Sequence, residues 1–110
     1  MAKLERTLHG KKFEEILLRI EHGIVNGSLS ASLEDGSDFS DGSARVSVRV
    51  FERYSWLGNN RVSLNVTLFQ SGNGPVRLSA ITSGGSQAVF FKINTFGEEA
   101  FLDKLRELAL

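Results

Sequence analysis

Between Arg45 and Phe69 apolar and polar side chains alternate with a period of two. Val46, Val48 and Val50 alternate with Arg45, Ser47 and Arg49, and Val62, Leu64, Val66 and Leu68 alternate with Arg61, Ser63, Asn65 and Thr67. That period gives a strand one apolar and one polar face, and the β-branched content favours strands over helices. Leu57-Gly58-Asn59-Asn60 reads as the hairpin loop between them. Both apolar sets occupy even positions. They share a face only if the loop holds an odd number of residues, so a loop of three or five residues, or a bulge near Phe51-Glu52, is expected.

The remaining elements follow from the same patterning. Leu4 and Leu8 mark a short strand over 3–9. Phe13, Ile16, Leu17, Ile20 and Ile24 recur at helical spacing, with Glu14, Glu15, Arg19 and Glu21 opposite and Leu18 outside the stripe. Asn26-Gly27 stops that helix, because both residues tolerate the left-handed conformation. Leu29, Ala31 and Leu33 alternate with serines and predict a strand over 28–33. The stretch 34–42, rich in Asp, Gly and Ser, reads as a polar loop. Ser71-Gly72-Asn73-Gly74-Pro75 is the next turn, and a strand begins after the only proline. Gly84-Gly85 signals a two-residue turn that pairs Ala80 with Val89, Leu78 with Phe91 and Val76 with Ile93. Thr95 and Glu98 have capping-box spacing before a terminal helix bearing Phe101, Leu102, Leu105 and Leu108.

The predicted order is β-α-β-β-β-β-β-α. Sequential hairpins favour a single antiparallel sheet of five or six strands, and two amphipathic helices need a face on which to bury their stripes. The expected architecture is one α+β domain over 1–110, with both helices packed on one face of the sheet.

Composition narrows the function classes. The chain has 110 residues, enough for one core, with 13 basic and 13 acidic side chains. That balance produces no global field towards nucleic acid or membrane. With no cysteine, disulfides and thiolate chemistry are excluded. No signal peptide or apolar run of transmembrane length is visible, so a cytoplasmic protein is expected.

Motifs for chemistry are weak throughout. Ser83-Gly84-Gly85-Ser86 lacks the Lys-Ser/Thr of a phosphate loop. Glu34, Asp35, Asp38 and Asp41 do not follow the spacing of a calcium loop. His9 and His22 have no partner at ligand spacing, and no serine sits in a nucleophile motif. No catalytic residue, metal ligand or cofactor is assigned. The alternation instead singles out the sheet face away from the helices. Arg45, Arg49, Phe51, Arg61, Phe69, Arg77, Phe90 and Lys92 are expected there, and arginine mixed with aromatics is typical of interfaces. The expected partner is a second copy in a homo-oligomer, most simply a dimer. A small anion held by Arg49, Arg61 or Arg77, with an inward Glu52 as base in an enzyme, is the alternative. Neither nucleic acid nor membrane is expected as a partner.

One resemblance accompanies this reading. Ser30 to Asp35, Glu52-Arg53-Tyr54, Asn60 to Thr67 and Ser79 to Asn94, continuing into Gly97 to Phe101, resemble a family of small bacterial proteins of unknown function, found mostly in Gram-positive bacteria. The resemblance spans nearly the whole chain. It implies a stand-alone cytoplasmic protein of about this length and transfers no catalytic residue.

Overall fold

A computed structural model describes residues 1–27, 30–55, 60–84, 101–108 and 110. Strand β1 (Ala2–Leu8) leads into helix α1 (Phe13–Gly27), followed by β2 (Ser32–Asp41), β3 (Ala44–Ser55), β4 (Asn60–Ser71) and β5 (Val76–Gly84). A second helix, α2, runs over 101–106. The five strands form one antiparallel sheet in the order β1-β5-β4-β3-β2. Strands β2 to β5 are sequential neighbours, while β1 closes the far side against β5. Because β1 and β2 lie at opposite edges, α1 has to cross the sheet between them, and this covers one face. The sheet is a single α+β layer with its helices on one side.

The core has the predicted helical and interior-strand members. Phe13, Ile16, Ile20 and Ile24 are buried from α1, and Leu18 stays exposed, as its position off the stripe requires. Val62, Leu64, Val66 and Leu68 of β4 share the inward face with Val76, Leu78, Ala80 and Thr82 of β5, and all eight are buried. Leu4 and Leu8 of β1 join them, and α2 adds Phe101, Leu102 and Leu105. Helix α1 ends at Gly27, as read from Asn26-Gly27, but Gly27 is not among the glycines with positive φ. Strand β5 starts directly after Pro75, as predicted.

Three expectations are corrected. First, Ser55 pairs with Asn60, so four residues intervene and the loop is even. The register runs unbroken from Ala44 opposite Ser71, with no bulge at Phe51-Glu52. Phe51 therefore meets Leu64, while Val50 meets Asn65 and Val48 meets Thr67. The inward set of β3 is odd: Arg45, Ser47, Arg49, Phe51 and Arg53. Burying Phe51 completely contributes about 2–3 kcal/mol. The arginines on the same face find carboxylates and rings on the helices, and the three valines move to the open face, where they remain half-buried.

Second, the polar stretch 34–42 is not a loop. Strand β2 extends to Asp41, and Gly42-Ser43 turns the chain back to Ala44. Edge strands have one neighbour and commonly carry charges that resist further pairing, so their composition resembles that of loops. A register shift between Leu33 and Asp35 bends the strand at Glu34.

Third, both edges of β5 are occupied, because Ala80 pairs with Leu4 on one side and Val66 on the other. No edge of β5 is left for Val89, Phe91 and Ile93, which lie outside the described residues. Gly84 instead ends β5 opposite Val62 at φ 133°, where an added Cβ would stand 2.6 Å from the Arg61 carbonyl oxygen. The Thr95-Glu98 cap also lies outside the described residues.

Candidate sheet-face interface

The inward face of β3 bears arginines at every fourth position, and each is engaged. Arg45 lies over the Phe13 ring at 3.9 Å and donates to Glu14 at 2.6 Å. Arg53 lies 4.9 Å from the Phe101 ring centroid. Arg49 donates from Nε to Glu21 at 2.7 Å and is 3.0 Å from Asp38. Its side chain is only 12% exposed. Gly36 stands opposite Arg49, where an added Cβ would meet the arginine side chain at 2.9 Å, so the guanidinium crosses β2 where that strand has no side chain. The Ser47 hydroxyl donates to Asp38 at 2.6 Å. That bond, followed by the Arg49 guanidinium, holds the Asp38 carboxyl below its ordinary range. Burial works against the Arg49 charge, but Glu21 and Asp38 outweigh it and raise its pKa. These groups clamp α1 and the edge strand to β3.

Arg45, Arg49 and Phe51 are therefore corrected: they sit on the helix side, not on the open face. Their displacement follows from the even hairpin loop. Arg61, Phe69 and Arg77 do lie on the open face. Phe90 and Lys92 fall outside the described residues. Glu52 is corrected as well, because it faces outward opposite Ser63 and accepts from Arg61 Nε at 3.0 Å. Arg61 and Phe69, the neighbour of Arg77, are eight positions apart on β4, roughly 26 Å along a strand. Arg49 lies on the opposite face from both. Arg49, Arg61 and Arg77, each a candidate to hold a small anion, therefore stand at separate places on the sheet.

The open face has a different character from the one expected. Its transverse rows can be read from the register. One row is Phe39, Val46, Phe69, Arg77 and Thr7. The next is Ser37, Val48, Thr67, Ser79 and Glu5, and the third is Asp35, Val50, Asn65, Ile81 and Lys3. Phe39 is 66% exposed, Phe69 42% and Ile81 40%. The three valines fill the space between them. The result is one apolar row, Phe39, Val46 and Phe69, across β2, β3 and β4, continued along β3 by Val48 and Val50, with Ile81 on β5 set apart beyond Asn65 and with Lys3, Glu5, Asp35 and Arg77 around them. Phe39 and the valines were missed because one lay in an assumed loop and the others were assigned inward. The even separation of Ser55 from Asn60 is the signal that places the valines outward.

Among the described residues no group of three or more His, Asp or Glu is placed to hold a metal ion, and no helix is long and apolar enough to cross a membrane. No curated protein and no solved structure matches the chain. A family model covers residues 1–109. The chain thus belongs to the family of unknown function DUF6054.

Proposed function

We propose that this protein is a small binding module whose helix-free sheet face takes another protein chain. The observation supporting this reading is the cluster of outward apolar side chains Phe39, Val46 and Phe69 in one row, continued along β3 by Val48 and Val50. An antiparallel sheet with one solvated face ordinarily alternates apolar-in and polar-out. Here β3 turns three valines outward and its arginines inward, and with Phe39 and Phe69 they make an apolar cluster among polar neighbours, the composition of an interface. We take its setting to be the bacterial cytoplasm, which the family resemblance implies.

The test is the double variant Phe39→Ser with Phe69→Ser, compared with wild type by light scattering and by affinity capture. Both side chains lie outside the core, so the fold should be retained, as circular dichroism would verify. The expected result is loss of chain–chain association, seen as a lower solution mass or as the disappearance of a captured protein. An identical mass and an identical captured set in the two proteins would overturn the reading.

A further inference from the structure

We infer that the occupant of the open face is a second copy of this chain, docked about a two-fold axis parallel to β4 so that β4 faces β4 of the partner. The inference rests on the binding-face reading and specifies its partner and geometry.

The register carries the argument. A two-fold axis along the strands, lying between two facing sheets, reverses each transverse row onto itself. The strand order β1-β5-β4-β3-β2 then places β4 on β4, β3 on β5 and β2 on β1. In the row Asp35, Val50, Asn65, Ile81, Lys3, this sets Asp35 opposite Lys3, Val50 opposite Ile81 and Asn65 opposite itself. Opposite charges meet at both ends and apolar groups meet between them. In the row Phe39, Val46, Phe69, Arg77, Thr7, Phe69 meets its own copy on the axis, Val46 meets the aliphatic stem of Arg77 and Phe39 meets the methyl-bearing side chain of Thr7. Each copy presents the same patch, as a closed two-fold contact requires.

The perpendicular axis fits less well. Centred on the row of Val48, it would set Val48 on Val48 and Val46 on Val50, but Phe39 on Asp35 and Arg77 on Ile81. Phenylalanine would cover a carboxylate, and no charge would meet its opposite.

The size is adequate. Five strands at ~4.8 Å spacing, over three rows ~6.8 Å apart, give roughly 500 Å² of projected face per copy. Side-chain relief brings this towards the ~800 Å² per partner of a standard interface. Packed sheets cross at about −30°, so the pairings hold best near the axis.

The chain has no cysteine, so single cysteines report without background. Thr67 lies next to the axis on β4, while Val48 opposes Ser79 of the partner. The experiment compares Thr67→Cys and Val48→Cys with a short bismaleimide matched to the ~10 Å spacing of packed sheets, alongside the solution mass of wild type at micromolar concentrations. The expected result is a dimeric wild type, efficient crosslinking of Thr67→Cys, and little crosslinking of Val48→Cys. Introducing Phe39→Ser and Phe69→Ser into the Thr67→Cys chain should abolish its crosslink. A dimer that crosslinks through Val48→Cys, or through neither position, overturns the inferred axis. A monomeric wild type overturns the inference. If Phe39→Ser with Phe69→Ser still removes a different captured protein from that monomer, the binding-face reading survives alone. If it removes none, both fall.

Discussion

Arg49 shows how a single side chain sets the polarity of a face. Held between Glu21 and Asp38, it joins α1 and the edge strand to β3, and its long apolar stem fills space that a valine would have filled. Asp38 contributes to this clamp only while ionised. Its folded pKa lies below the ordinary value of 3.8, because Ser47 and then Arg49 favour the carboxylate. Its stabilising contribution is therefore complete above about pH 4 and is lost as the pH falls through the folded value. Near neutrality Asp38→Asn should lower Tm by about 1–4 °C, since the carboxylate is exposed and its ion pair screened. As the pH falls through the folded value the two melting curves should converge. A gap that stays constant from neutral to strongly acidic pH would show that Asp38 does not act through its charge.

Among the elements, β3 is where the chain's patterning and its packing disagree. Its register makes a sharp prediction for chemical denaturation. Phe51→Ala should cost about 3–4 kcal/mol through the cavity it leaves beneath the helices. Val50→Ser, on the open face, should cost about 1 kcal/mol or less. Equal or inverted costs would mean that β3 is offset by one residue. Strands β4 and β5 and both helical stripes could be read in the sequence because each has one buried side and a regular period. Strand β3 could not, since alternation alone gives three valines precedence over Phe51 and ignores the carboxylates that α1 and β2 supply to its arginines. Strand β2 was concealed by edge composition that matches a loop. The candidate face was legible only in part: Arg61, Phe69 and Arg77 are where the pattern puts them, whereas Arg45, Arg49 and Phe51 point the other way. Phe39 and the valines appear only once the even loop is known.

At the scale of the whole molecule, a one-layer sheet leaves much of its second face exposed, and self-association is the direct way to cover it. Partner binding stabilises the folded state by mass action. The melting temperature of the wild type should therefore rise with protein concentration, whereas that of the Phe39→Ser, Phe69→Ser double variant should stay level. Concentration-independent melting of the wild type would argue that the face remains open.

The acidic edge strand has a consequence for how far assembly proceeds. Strand β2 carries Glu34, Asp35, Asp38 and Asp41 in ten residues and bends at Glu34. Two such borders repel one another and do not lie flat together, so copies do not zip β2 against β2. Ribbons joined through that acidic edge are thereby disfavoured, and crowding of the chain should not produce them.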